Sequence, residues 1–249
     1  MLSVLGISGS PRKGNSEFLL EAALAAAKEI DPEEINIDQY SFRGKKFGPC
    51  ISCFRCGDSG GDCILKDDFS ELRDLWVKAD VVIYSVPVYH MSIPGQLKCF
   101  IDRLGNSLFA RYSRLFPEGK ESLPKLMKVV GSIAQGVHLF SGQEHTLTDL
   151  VNHALLMQCI PVGGDMWESY IGAGGWTSND IDRQALRNQV DDNLFDAKVG
   201  LKAAQDVGRR AVIQAQLIKA GGLALRDQLA TDPAYKPFLA RITGDLANL

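Results

Sequence analysis

The 249-residue sequence has no unbroken apolar run of 18 residues, the length that would let a helix cross a bilayer. It has no surplus of basic charge either. Lys and Arg number 27 against 30 Asp and Glu, a net charge of −3, so no broad positive field is offered to nucleic acid. Six cysteines are too few for a disulfide scaffold at this length. The four histidines, His90, His138, His145 and His153, lack the spacing of a metal site. Internal repeats, low-complexity tracts and the basic segment with cleavage site of a secretory signal are missing as well. The expectation is a cytoplasmic protein with neither a membrane nor a nucleic acid as partner.

Strand-like and helix-like stretches alternate along the chain. Residues 2–7 read as a buried strand, and residues 16–30 as a helix with Leu19, Leu20, Ala23, Leu24 and Ala27 on one face. Asp31-Pro32 stops that helix. Strands follow at 35–38, 79–84, 127–132 and 159–163, with helices at 67–77, 95–104, 143–158 and 194–220. Five such alternations imply a three-layer α/β sandwich around a five-stranded parallel sheet. Ligands of such sheets bind outside the C-terminal ends of the strands, where strand order reverses, so the loops after strands one, three and four should share one crevice. Residues 106–126, with a turn at Pro117-Glu118-Gly119-Lys120, and residues 167–179 read as irregular excursions. The chain divides into a core at 1–220, with a cysteine-rich loop at 47–64, and a helical extension at 221–249.

The first loop, GSPRKGNS (9–16), lacks both the Gly-x-Gly-x-x-Gly fingerprint and the Gly-Lys-Ser/Thr ending. It carries instead the hydroxyls of Ser8, Ser10 and Ser16, the Asn15 amide and the Arg12 charge. That equipment suits a terminal monoester phosphate. The plain alternative is a strand–helix turn with Ser16 as N-cap. In the loop after strand three, Tyr89, His90 and Met91 can lie against a flat ring, beside the backbone of Pro87.

Four of the six cysteines, Cys50, Cys53, Cys56 and Cys63, fall within 14 residues. Two-residue gaps let successive sulfurs turn toward one centre, and Gly57, Gly60 and Gly61 let the last arm fold back. An iron–sulfur cluster, a zinc ion and free thiols all remain open. Cys99 and Cys159 sit among apolar residues and read as packing. Asp67-Asp68 reads as a helix cap with first-turn charge, and Asp102-Arg103 as a structural pair.

Taken together, GSPRKGNS, PCISCFRC with GDCILKDDF, ADVVIYSVPVYHMSIPGQLKCFIDR and SGQEHT resemble the NADPH-dependent FMN reductase family of flavodoxin-like proteins, and within it the iron–sulfur flavoproteins. The resemblance spans residues 2–165 and, loosely, 194–214. It implies FMN with Ser10, Arg12, Asn15 and Ser16 at the phosphate, and Pro87, Val88, Tyr89, His90 and Ser92 at the ring. It further implies Ser132, Gly142 and Gln143 near the ring's other side, and Cys50, Cys53, Cys56 and Cys63 as ligands of a [4Fe–4S] cluster. The expected activity is oxidoreduction from NAD(P)H or a ferredoxin-like donor to a small acceptor such as a quinone or flavin, by a homodimer or homotetramer. Two other functions fit the same residues: reduction or dehydrogenation of one cyclic metabolite, and electron relay without catalysis.

Overall fold

The structure, a computed structural model, describes residues 1–116 and 122–246. Strand β1 (Leu2–Ser8) pairs in parallel with β2 (Ile35–Ser41) on one side and β3 (Val81–Pro87) on the other. β4 (Val129–Gly136) lies beyond β3. The fifth position is shared by two short strands on the same edge of β4: β5 (Ile160–Val162) against its first half and β6 (Ala173–Trp176) against its second. The expected fifth strand forms as β5, and β6 is a sixth, inside the stretch 167–179 read as irregular, because the chain leaves the edge after β5 and returns to it. Ala-Gly-Gly-Trp carries no β-branched signal, and β6 exists because the unpaired edge of β4 offers it partners.

One face of the sheet is covered by α1 (Asn15–Lys28), α6 (Ala185–Asp191) and α7 (Phe195–Ala224), which bury Leu19, Leu20, Ala23, Leu186, Ala203 and Val207 against it. The other face holds α3 (Phe69–Lys78), α4 (Gly95–Ser113) and α5 (Gln143–Leu156), with Trp76, Phe100, Leu104 and Leu150 in its core. Each fully buried Leu or Phe contributes about 1.5–3 kcal/mol. A one-turn helix, α2 (Arg55–Ser59), lies inside the cysteine-rich loop.

Helix α4 runs well past the expected stop at 104. Leu104, Leu108 and Tyr112, four residues apart, keep one face buried, and Gly105 is carried within the helix. Residues 106–113 are thus helical, not an excursion, and the turn at Pro117-Glu118-Gly119-Lys120 lies outside the described residues. After α7 come α8 (Arg226–Leu229) and α9 (Lys236–Thr243). Arg241 of α9 donates from Nε to Asp80 Oδ1 at 3.0 Å, pinning the tail to the start of β3. Among the described residues no helix is long and apolar enough to cross a membrane.

Candidate functional site

Strand order reverses between β1 and β3, so the loops that follow them face each other across the switch point. In the first loop, Ser10 Oγ donates to the Arg12 carbonyl at 2.7 Å and accepts from the Arg12 N–H at 3.2 Å, folding the backbone into a tight cup. Gly14, in extended backbone, is the N-cap of α1, and no side chain caps the helix. Ser16 lies inside the first turn, which removes the plain N-cap reading and leaves first-turn N–H groups without a side-chain acceptor. Arg12 is exposed and, among the described residues, pairs with no carboxylate. Ser8 Oγ is buried at the base of the loop without a hydrogen-bond partner.

Asn15 is occupied elsewhere. Its Nδ2 donates to the Asp182 carbonyl at 2.9 Å and its Oδ1 accepts from the Leu186 N–H at 3.1 Å. Its amide clamps the loop to the chain before and within α6. Ser16 contributes its carbonyl to Ser85 Oγ at 2.7 Å across the sheet.

Beyond Pro87, the Val88 N–H donates to the Gln135 carbonyl at 2.8 Å, tying this loop to the end of β4. Tyr89 and Ser92 exchange backbone hydrogen bonds of 2.9 and 3.1 Å. The residues between them, His90 at φ 49° and Met91 at φ 72°, are both left-handed, the signature of a type I′ turn. Side chains rarely adopt that backbone, and each such residue costs on the order of 1 kcal/mol. The tip of this rim is therefore held in a strained shape, with Tyr89, His90 and Met91 exposed. Ser92 Oγ donates to Asp149 of α5.

The loop after β4 closes on the same rim. Gly142, at φ 105°, presses so closely on Met91 that a Cβ there would stand 2.6 Å from the Met91 Cα. Gln143 staples the loop: its Nε2 donates to the His138 carbonyl at 2.7 Å and its Oε1 accepts from the Ser141 N–H at 3.0 Å. Ser132 lies within β4, in register with Tyr84 and one residue before the level of Ser8 and Ser85 where β1 ends, and is buried. Sequence reasoning overlooked the cavity of about 410 Å³ beside this loop, walled by Met91, Phe140, Tyr170 and Trp176. Its volume is in the range of small-molecule sites. Exposed aromatics on segments without a period were the signal for it.

The cysteine-rich loop is built against α4. Ser52 and Phe54, at φ 51° and 55°, wind the chain between Cys50 and Cys56. Arg114 Nη2 donates to the Gly57 carbonyl at 3.0 Å, and Arg73 Nη1 donates to the Gly61 carbonyl at 3.3 Å and to Asp62 Oδ1 at 2.7 Å. Ser107 Oγ also donates to Gly61 O. Gly61 sits at φ 104°, where a Cβ would stand 2.7 Å from the Ser107 carbonyl. Only glycine can occupy that approach.

Cys50, Cys53, Cys56 and Cys63 line one recess, together with Arg103, Asn106 and Ser107 of α4. The thiols surround the recess without converging on a point; among the described residues no three His, Cys, Asp or Glu side chains stand together as a ready shell for a metal ion. Burial pushes the Cys56 thiol up, and the charges of Cys53 and Cys50 add to that. Asp67 does more than begin a helix. Burial pushes its carboxyl up, but bonds from Arg103 and from the N–H groups of Gly48 and Phe69 outweigh burial and hold it below the usual carboxylate range. Arg103 pairs with Asp67 at 2.6 Å, while its sequence neighbour Asp102 pairs with Lys98, so the expected Asp102–Arg103 pair does not form.

A family model described as NADPH-dependent FMN reductase matches residues 2–168. The chain is 32% identical over 219 residues to an iron-sulfur flavoprotein of Methanocaldococcus jannaschii, covering 88% of this chain and 100% of that one. It is 31% identical over 179 residues to an iron-sulfur flavoprotein of Archaeoglobus fulgidus, covering 72% of this chain and 85% of the relative. Among solved structures, the flavodoxin, WrbA-like protein from Agrobacterium tumefaciens superposes with a TM-score of 0.53 at 15% identity, over 87% of this chain and 99% of that one. At such identity the superposition speaks for the fold alone, and that fold is flavodoxin-like.

Proposed function

The chain belongs to the NADPH-dependent FMN reductase family and is an FMN-dependent oxidoreductase; we propose that it moves electrons from NAD(P)H or a ferredoxin-like donor to a small acceptor, a quinone or a flavin, with a [4Fe–4S] cluster at Cys50, Cys53, Cys56 and Cys63. FMN, when bound, supplies a ring that takes up hydride and gives up electrons singly, and a four-iron cluster supplies a one-electron store.

The residues fit both groups. At the first loop, the uncapped start of α1, the Ser10 hydroxyl and the exposed Arg12 charge suit a phosphate dianion. The buried, partnerless Ser8 Oγ at its base is a further polar atom in need of a neighbour. Tyr89 and Met91 present exposed faces to a planar ring, and the strained turn fixes where they stand. Asn15 and Gln143 act one step back, holding the two loops in place. A zinc ion gathers its sulfurs on one tetrahedral shell about 2.3 Å from the metal, whereas each iron of a four-iron cluster takes its own thiolate. Four thiols around a recess, with a buried guanidinium in its wall, favour the cluster. That arrangement is the observation on which the reading rests.

The test is an anaerobic absorbance spectrum with FMN, iron and sulfide measured on the same sample. About one FMN and about four iron and four sulfide per chain are expected. Colourless protein that takes up no added FMN would sink the reading.

The cavity beside Gly142 favours one second reading, in which the acceptor is a flat cyclic metabolite seated between Phe140, Tyr170 and Trp176. A steady-state screen of quinones, free flavins and cyclic acids separates it from general electron transfer. Rapid hydride uptake from NADH or NADPH would count against a mere carrier. Phe140 and Trp167, 89% and 90% exposed, are the surface we assign to a second copy in a homodimer or homotetramer.

A further inference from the structure

We propose that Arg103 and Asn106, one turn apart on α4, are positioning residues that donate N–H hydrogen bonds to the sulfur set of the cysteine recess and raise its reduction potential, an inference that rests on the cluster reading above. Asp67, Gly48 and Phe69 fix where the Arg103 guanidinium stands, but they use only one of its nitrogens. Its side chain is 1% exposed. Nη1 is fully used, donating to Asp67 Oδ2 at 2.6 Å and to the Gly48 carbonyl at 3.3 Å. The guanidinium lies over the Phe69 ring, 4.3 Å from its centroid, which fixes its plane. Among the described residues Nε and Nη2 are buried and meet no hydrogen-bond partner of good geometry; the guanidinium faces the Cys63 sulfur, on a residue that lines the recess with all four cysteines.

An unmatched buried donor costs about 1–3 kcal/mol, and more when it is charged. Asp67 neutralises the charge but leaves those two N–H groups unserved, so the recess should hold an acceptor that is anionic and broad. Sulfur ligands of a thiolate-bound cluster meet both needs. Asn106 supplies a second donor from the same helix face: its Nδ2 lies 3.5 Å from Cys50 Sγ while also reaching the Asp102 carbonyl at 3.2 Å. The two residues thus approach the cysteine set from its Cys63 side and its Cys50 side.

The consequence is electrostatic. Adding one electron to the cluster adds one negative charge and moves no other atom, and N–H donors to sulfur stabilise the more negative form. The conservative variant Arg103→Lys keeps a charge for Asp67 but loses the planar fork, and Asn106→Ala removes the exposed donor while favouring the helix.

The experiment is a redox titration followed by electron paramagnetic resonance on anaerobically prepared holoprotein, with iron and sulfide counted for each variant. For Arg103→Lys we expect retained iron and a reduction equilibrium shifted at least tenfold toward the oxidised form, about 59 mV for one electron. Asn106→Ala should shift it in the same direction by less. Iron-loaded variants with the parent's potential would overturn the inference while leaving the cluster reading intact. Wild-type protein without iron and sulfide would overturn both. If Arg103→Lys loses its iron, Asn106→Ala decides: a lowered potential supports the inference and an unchanged one defeats it.

Discussion

Asn15 Oδ1 accepts the Leu186 N–H at 3.1 Å and so binds the start of α1 to a helix 171 residues further along the chain. With its second bond to the Asp182 carbonyl, this amide sets the shape of the first loop from behind. Asn15→Ala should lower the free energy of urea unfolding by about 1 kcal/mol, the worth of such bonds at a half-exposed site. FMN affinity should fall less than it does in the next variant. A loss of affinity with unchanged stability would show that the amide faces the cofactor after all.

Arg12 is the converse case, an exposed cation that pairs with no carboxylate among the described residues. Arg12→Ala should leave unfolding unchanged and weaken FMN binding at least tenfold, about 1.4 kcal/mol, by flavin fluorescence titration. Equal affinities in variant and parent would remove Arg12 from the phosphate site.

Gly61 tests how the cysteine loop docks. A methyl group there meets the Ser107 carbonyl in a left-handed backbone, so Gly61→Ala should lift the loop from α4 and abolish most iron binding. FMN should still bind, because the first loop is untouched. Gly57→Ala is the matched control, since an added Cβ meets nothing within 4 Å. Iron content near the parent's in both variants would mean that docking on α4 does not shape the recess.

His153 links stability to pH. Trp76 Nε1 donates to the Tyr84 hydroxyl at 2.9 Å, and that hydroxyl shares a hydrogen bond of 3.3 Å with His153 Nε2. Burial lowers the pKa of the imidazole from 6.5 to about 4, which favours its neutral form. A folded value below the unfolded one means that the unfolded chain binds the extra proton. The stabilisation is complete above pH 6.5 and is lost as pH falls toward 4, up to about 3 kcal/mol. Urea unfolding across that window should show the slope, and His153→Gln should flatten it; identical slopes in the two proteins would refute the assignment.

The alternation of 2–7, 16–30 and 79–84 was readable because buried strands and one-sided helices leave strong patterns. Where a residue's partner is distant, no local pattern announces it. Asp102 adjoins Arg103 in the chain, yet Lys98 takes Asp102 and Asp67 takes Arg103. Asn15 and Gln143 have the right chemistry for a ligand, and each also bonds to distant or neighbouring loop backbone, Asn15 to Asp182 and Leu186 and Gln143 to His138 and Ser141. Ser132 shares its residue type with the loop serines but lies mid-strand. β6 left no trace, since a Gly-rich edge strand is made by its neighbour.

Composition and spacing by themselves determined the layer order, the hydroxyl-rich, arginine-bearing make-up of the first loop and the gathering of four thiols within one short segment, because these depend on residues close together in the chain. Tertiary structure alone decided which polar groups stay free for a ligand. That depends on what each donor and acceptor meets across the sheet or along α4, and such meetings join residues that no local pattern connects.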